Sequence, residues 1–315
     1  MSAGRSCSPS YRYAPGLFDA PATAETDILY VVGGLYGNEQ ALAAVLQLFA
    51  AERGRKHLIF NGDFNWFNVA PASFSRINET VLSHDATRGN VETELGLPYF
   101  DEDAGCGCAY PDWVGDDVVR RSNAIMKRLA GTAASFPQLQ GRLAALPMWR
   151  RIDVGGTPVG IVHGDAESLA GWGFSQERLA DPAHLSTVRQ WFDLAQVRVF
   201  ASSHTCLPVM LPLADTNGRA CLVANNGAAG MPNFTGTRSG LLTRIATVPC
   251  THGRSCYGTR LDNLFVDAMS IDYDHLQWQR AFLSQWPAGS PAHASYWDRI
   301  ANGIAYTSGQ ALPRA

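Results

Sequence analysis

Apolar positions along the chain follow two periods, and the places where one gives way to the other mark the elements. Asp27-Ile28-Leu29-Tyr30-Val31-Val32 is a short, nearly continuous apolar run, the pattern of a strand buried on both faces. It runs into Gly33-Gly34-Leu35-Tyr36-Gly37-Asn38, whose glycines allow positive φ or close backbone approach. From about Glu39 to Arg53, Leu42, Val45, Leu46 and Phe49 share one helical face. A second apolar run, His57 to Asn61, stops at Gly62-Asp63. Strand, helix and strand make a βαβ unit, with the Gly33–Asn38 loop and Asp63 at the same carboxyl edge.

Further along, helical spacing predicts helices near Phe74 to His84, Asp116 to Leu129, Ser175 to Leu179, Pro182 to Leu194, Asp274 to Gln285 and Ser295 to Asn302. Arg151 to Val162 reads as a hairpin turning at Gly155-Gly156, and Val197 to Phe200 as a short strand. Leu207–Leu213, Cys221–Ala224, Gly240–Val248 and Leu261–Ile271 read as strands of a second, largely antiparallel sheet. Residues 1–26, with Pro9, Pro15 and Pro21, are expected to form an irregular arm. Residues 27–315 then make a single α/β domain, with an insertion around 95–146 that contributes to a pocket rim.

At 315 residues and 46% hydrophobic content the chain can bury a large core. A formal net charge of -3 gives no global basic field, so neither a nucleic-acid polymer nor an anionic membrane is expected as a partner. No apolar run is long enough to span a bilayer, and Met1 to Pro21 lacks the apolar core of a signal peptide. A cytoplasmic protein is expected. Seven cysteines, irregularly spaced, argue for reduced thiols rather than a disulfide framework. Cys106-Gly107-Cys108 is too tight for zinc-knuckle spacing, which favours a plain glycine-rich loop over a structural metal.

The chemistry lies in four short loops. Asp63, Asn90, His163 and His204 each sit beside glycine or serine after an extended stretch. Singly, each has a bland explanation: a turn aspartate or asparagine, or a satisfied core histidine. Together, a carboxylate, an amide oxygen and two imidazoles suit iron, manganese or zinc with water completing the coordination.

In this order the motifs resemble those of the calcineurin-like metallophosphoesterase superfamily, especially its compact bacterial branch. The matching pieces are Gly34-Leu35-Tyr36-Gly37-Asn38, Gly62-Asp63, Gly89-Asn90-Val91-Glu92, His163-Gly164-Asp165 and Ser203-His204-Thr205-Cys206. Asn225-Asn226-Gly227-Ala228-Ala229-Gly230-Met231-Pro232 resembles a later turn of that branch, and coverage runs from about Asp27 to Asp272. The resemblance implies a two-sheet sandwich flanked by helices (αββα). It also implies hydrolysis of a small-molecule phosphomonoester or phosphodiester by metal-activated water, with Asp63, Asn90 and His163 in the catalytic set.

Three departures fall on one of the family's two metal sites. Gly34 stands where relatives have an aspartate, Tyr36 where they have a histidine, and Cys206 where they have the last histidine. The other ligands, Asp63, Asn90, His163 and His204, are kept, which implies one ion rather than two. Cys206 as a thiolate, helped by Tyr36 or Asn38, would rebuild the second site; an inert cysteine and a hydrogen-bonding tyrosine are the other outcome. Val91 replaces a histidine that assists many relatives, with His84, His252 and Arg254 as possible substitutes. Asp165 reads as a cap for the chain at Glu167 and Ser168, or as a partner of His163. Trp66 and Phe67 either wall the pocket or belong to the core. The alternative function is a non-catalytic binding or scaffold protein on the same fold, and a third reading gives Cys206 a nucleophilic or ligand role outside phosphate esters.

Overall fold

The computed structural model describes residues 3–5 and 8–313; Met1, Ser2, Ser6, Cys7, Arg314 and Ala315 lie outside the described residues, and with them part of the expected arm and one of the seven cysteines. In chain order the elements are β1 (Ala24–Thr26), β2 (Ile28–Val32), α1 (Glu39–Ala51), β3 (Lys56–Asn61), α2 (Pro71–Val81), β4 (Asp85–Thr87), α3 (Asn90–Leu95), α4 (Asp116–Ala133) and α5 (Pro137–Ala144). They continue with β5 (Trp149–Val154), β6 (Thr157–Val162), α6 (Gln176–Leu179), α7 (Pro182–Ala195), β7 (Val199–Ser202), β8 (Pro208–Ala214) and β9 (Ala220–Asn226). The chain closes with β10 (Gly240–Ala246), β11 (Ser255–Leu261), β12 (Leu264–Ile271), α8 (His275–Gln285) and α9 (Pro291–Asn302).

Two six-stranded mixed sheets result. Sheet I has the order β11-β12-β10-β2-β3-β4 and sheet II the order β1-β5-β6-β7-β9-β8. They face each other across an apolar layer that includes Leu29, Val31 and Ile59 from sheet I and Ile152, Ile161, Val199 and Ala224 from sheet II. Along β2 the side chains alternate: Leu29 and Val31 point between the sheets, while Ile28, Tyr30 and Val32 join the core under the helices. That explains the unbroken apolar run, since both faces of the strand are covered. Helices α1, α2 and α4 contribute to the core outside sheet I, and α7 packs outside sheet II with Phe192 against Phe200. The molecule is therefore the helix-flanked two-sheet sandwich that the motifs implied.

The structure corrects three expectations. The strands after residue 207 do not build a sheet of their own. β9 pairs parallel with β7 and carries β8 at its edge, whereas β10 pairs antiparallel with β2 and carries β12 and β11. All seven residues of β10 are buried, which requires an interior position with a partner on each side. The arm is also less irregular than expected, since β1 pairs parallel with β5. In the same arm Tyr11 and Phe18 are buried, Phe18 lying 4.7 Å from the Trp149 ring centroid. Finally, the reduced-thiol expectation fails at Cys106 and Cys108, which are joined as a disulfide; Cys206, Cys221, Cys250 and Cys256 are free.

Strands β2, β3 and β4 run parallel in sheet I, and β6, β7 and β9 run parallel in sheet II. The loops leaving these strands carry Tyr36, Asp63, His163 and His204, while Asn90 opens α3 after β4 and Asn226 ends β9. Their carboxyl ends are where an open α/β sheet presents a site. No helix among the described residues is long and apolar enough to cross a membrane.

Candidate metal centre

Close backbone contact brings the loops together. Gly62 has φ +73°, and a Cβ there would lie 2.6 Å from Gly89 N and 2.6 Å from His163 Nδ1. Only glycine permits the three loops to meet this tightly. Asp63 follows with φ 54°, a left-handed conformation uncommon for a residue with a side chain, and its backbone N–H donates to Glu92 Oε2 at 2.7 Å. Glu92 also accepts from Gly89 N–H at 3.1 Å and Asn65 N–H at 3.2 Å, so one buried carboxylate ties the β3 and β4 loops together. Burial first, and then the charge of Asp63, push the Glu92 carboxyl up to about 7 despite those donors.

Four donor atoms converge above this frame. His163 Nε2 lies 3.3 Å from Asp63 Oδ2, 3.3 Å from Asn90 Oδ1 and 3.2 Å from His204 Nδ1. Donor atoms bound to one ion at roughly 2.1 Å stand about 3.0–3.4 Å from each other, so these three distances suit either a shared ion or direct hydrogen bonds. Asp63, His163 and His204 form an all-buried acid–imidazole cluster with ligand atoms within 4.8 Å of one another.

The hydrogen-bond partners decide which atoms face inward. His163 Nδ1 lies 3.1 Å from the Asn61 carbonyl, to which it donates, leaving the Nε2 lone pair free. His204 Nε2 lies 3.1 Å from the Cys108 carbonyl and donates there, leaving Nδ1 bare. Asn90 Nδ2 donates to the Cys106 carbonyl at 2.9 Å, which turns Oδ1 to the centre. Asp63 Oδ1 accepts the Val91 N–H at 3.2 Å, and Oδ2 faces His163. Four acceptors aimed at one buried point repel each other unless a cation lies between them, so the donor set fits a metal ion.

Without an ion, a proton shared at His163 Nε2 and Asp63 Oδ2 takes the place of the cation. For Asp63, burial raises the pKa, but the His163 charge and hydrogen bond outweigh it, and the carboxyl sits below its ordinary value. For His163, burial lowers the pKa, but Asp63 outweighs it and the net direction is up. His204 is pushed down to about 4, chiefly by burial and then by the charge of His163, so it is a neutral ligand. The centre thus draws in one positive charge against a single carboxylate.

Cys206 stands outside this convergence. Its Sγ lies 2.7 Å from Tyr36 Oη, and burial first, with the nearby Asp63 charge, holds the thiol above its ordinary pKa. The ring of Tyr36 occupies the space beside Gly34, where a Cβ would lie 2.8 Å from Cζ and 2.9 Å from Oη. Asn38 caps α1, accepting the Ala41 N–H at 3.0 Å, and donates to the Gly230 carbonyl at 3.0 Å. Asn226 donates to the Gly33 carbonyl at 3.0 Å, bracing the same loop from β9.

The other candidates have different posts. His252 lies 3.2 Å from Tyr30 Oη and 3.2 Å from the Leu48 carbonyl, Arg254 donates to Ser270 Oγ at 2.7 Å, and His84 packs 5.9 Å from the Phe60 ring; none lines the pocket at the centre. Glu52, Cys250 and His252 form a second acid–thiol–imidazole group, but Arg244 Nε, 2.5 Å from Glu52 Oε1, already supplies its cation. Asp165 Oδ1 accepts the Glu167 and Ser168 N–H groups, both at 2.9 Å, and so caps its own loop. Trp66 lines the pocket, whereas Phe67 packs 5.2 Å from Phe282 in the core. Glu92, the Cys106 and Cys108 carbonyls, Tyr110, Trp172 and Tyr296 are the site residues that sequence reasoning missed. Only Glu92 had a local signal, lying three residues after Gly89 at the start of α3, the position from which a glutamate reaches back to a helix N-terminus.

No family model matches the sequence, and no curated protein matches it. Solved structures do match. The metallophosphoesterase from Sphaerobacter thermophilus aligns with TM-score 0.54 and 16% identity, covering 88% of this chain and 100% of that one. A hypothetical protein from Pyrococcus horikoshii OT3 aligns with TM-score 0.55 and 13% identity, covering 89% of this chain and 99% of that one. The chain shares the fold of the Sphaerobacter thermophilus metallophosphoesterase. Within it, the four donor atoms sit where strands of both sheets end.

Proposed function

We propose that the protein is a metal-dependent phosphoester hydrolase working with one transition-metal ion, iron, manganese or zinc, held by Asp63, Asn90, His163 and His204. The observation that carries this reading is the inward orientation of all four acceptors, each fixed by a hydrogen bond at its far side. An ion there supplies Lewis acidity, lowering the pKa of a water and polarising a phosphoryl oxygen. The chain's own part is to hold the donors. Asp63 contributes charge, the two imidazoles contribute lone pairs in fixed tautomers, and Glu92 locks the loops that carry Asp63 and Asn90.

By the motif resemblance Tyr36 and Cys206 stand where ligands of a second ion would be, and their bond to each other at 2.7 Å supports one ion over two. The same pair favours a second reading, a binding or scaffold protein that keeps one ion for shape. Elemental analysis of the purified protein, alongside hydrolysis of a phosphoester panel by wild type and Asp63→Ala, separates the two. One ion with turnover, both lost in Asp63→Ala, supports the hydrolase; one ion with no turnover on any ester supports the scaffold.

A further inference from the structure

A separate cavity of about 320 Å³ lies between the N-terminal arm, α3 and the loop that leads to the disulfide. Three carboxylates line it, those of Glu94, Asp101 and Asp103, and among the described residues of its wall there is no lysine, arginine or histidine. The cations of the neighbourhood are spent elsewhere. Lys127 pairs with Glu102 at 2.6 Å, and Arg88 donates to the Ala144 carbonyl at 2.8 Å.

Exposed acids at a surface are ordinary, but Glu94 is only 4% exposed. Its Oε1 accepts the Tyr11 hydroxyl, while Oε2, shielded from solvent, has no hydrogen-bond partner. A buried carboxylate oxygen without a donor is costly until a cation or a donor reaches it. Burial first, and then the charge of Asp101, push this carboxyl up to about 7 despite the Tyr11 donor. Gly107 closes the wall beside it: a Cβ there would lie 3.1 Å from Glu94 Oε1. The Asp101 side of the cavity is fixed as well, since Asp101 Oδ1 accepts the Asp103 N–H at 2.9 Å and the Ala104 N–H at 3.3 Å.

The spacing of the acids selects the kind of cation. A hard metal ion gathers several oxygens around one point. Among the described residues only the Asp63 and Glu52 groups bring ligand atoms of three such side chains within 4.8 Å of one another, so Glu94, Asp101 and Asp103 stand further apart than a shared ion requires. Separated carboxylates are met by separated charges. An ammonium group brings three donors to each end, and Leu97 and Ala104 on the same wall suit the methylenes between two such groups.

We propose that this cavity binds a short linear diamine, with one ammonium on Glu94 and the other at Asp101 and Asp103, and the alkyl chain against Leu97. The assignment is independent of the hydrolase reading.

1,4-Diaminobutane, 1-aminobutane and calcium chloride are titrated calorimetrically into the purified protein at about pH 7.5 and low ionic strength. Glu94→Gln and Asp103→Asn are treated in the same way, with folding checked by circular dichroism. The expected result is one diamine per chain, held at least tenfold tighter than the monoamine. Glu94→Gln keeps an acceptor for Tyr11 and should lose at least tenfold in diamine affinity. Asp103 is exposed, so Asp103→Asn tests the site without disturbing a buried group, and it should lose at least threefold. Equal binding of the monoamine would overturn the two-headed assignment. Calcium held more tightly than the diamine, and weakened by Glu94→Gln, would make this a metal site instead. Wild-type affinity in both variants, or no saturable uptake of the diamine at millimolar concentration, would remove the site altogether.

Discussion

Tyr36 Oη and Cys206 Sγ lie 2.7 Å apart, and both residues hold left-handed backbone, φ 56° and 61°. Each such residue costs on the order of 1 kcal/mol, a cost met by the packing around it. The phenol and thiol are each held above their ordinary pKa chiefly by burial, so the pair stays neutral and hydrogen-bonded. Cys206→Ala should therefore retain one ion per chain, measured by elemental analysis, and lose only about 1 kcal/mol of stability. A variant that loses the ion would show the thiol to be a ligand.

Asp63→Asn and His204→Ala address the donor set directly. Each should lower metal affinity by at least 100-fold in a competition titration with a chelator of known affinity. Asn90→Asp adds charge to the same shell and should tighten binding. If all three variants hold the ion as wild type does, the centre lies elsewhere.

The disulfide loop reaches the centre through its backbone. The Cys106 carbonyl holds Asn90 and the Cys108 carbonyl holds His204, which also lies edge-on to Trp172. Cys106→Ala/Cys108→Ala frees the loop and should weaken metal binding by roughly 10–100-fold, the usual cost of losing such outer partners. The unfolding midpoint of the loaded protein should fall in step, and an unchanged metal affinity would remove the loop from the mechanism of positioning.

Gly62→Ala should be severely destabilising, by about 3 kcal/mol or more. The new methyl would meet the Gly89 backbone and the His163 ring in a left-handed conformation. Denaturant unfolding measures this, and a loss below about 1 kcal/mol would mean that the β3 and β4 loops separate easily.

Glu94 gives a pH signature away from the donors. It accepts the Tyr11 hydroxyl, yet burial raises its pKa to about 7 from an ordinary 4.5. The folded state therefore holds this proton more tightly than the unfolded chain, and the associated stability, present in full below about 4.5, is lost as pH rises through about 7. Up to about 3 kcal/mol is at stake for a shift of that size. Glu94→Gln keeps an acceptor for Tyr11 without the charge, so it should be more stable than wild type at pH 8 and near-equal at pH 4.5. Parallel chemical denaturation at the two pH values checks the sign.

Legibility in the sequence followed how locally each feature is encoded. Ile28–Val32 and His57–Asn61 were readable because strands covered on both faces need unbroken apolar runs, and Asp63 was readable because it ends one. The three residues of β4 and the partly exposed β11 lack such a run. Sheet membership of β8 to β12 was not readable, because alternation shows which residues are buried but not against which strand. Asn90, His163 and His204 stood out by chemistry and spacing. The carbonyls of Cys106 and Cys108 could not, since every residue has one and only the fold aims it. Trp172 and Tyr296 likewise look like ordinary core aromatics until α9 and the loop after β6 bring them over the centre.

Two of the donors, Asp63 and Asn90, leave sheet I, and the other two, His163 and His204, leave sheet II. An ion at their meeting point is therefore a rivet between the halves of the sandwich. Elsewhere the halves meet through the apolar layer of Leu29, Val31 and Ile161 and a few hydrogen bonds and ion pairs, such as Asn61 Nδ2 to the Val162 carbonyl, Asn226 Nδ2 to the Leu241 carbonyl and Arg150 to Asp85. At the rivet, separation breaks coordination bonds on one side or the other. Ligand linkage then stiffens one end of the molecule selectively, by about 2.7 kcal/mol when free metal stands at 100 times its dissociation constant. Stripping the metal should loosen amide protection first at the carboxyl ends of β3, β4, β6 and β7, while the opposite rim of the sandwich keeps its protons.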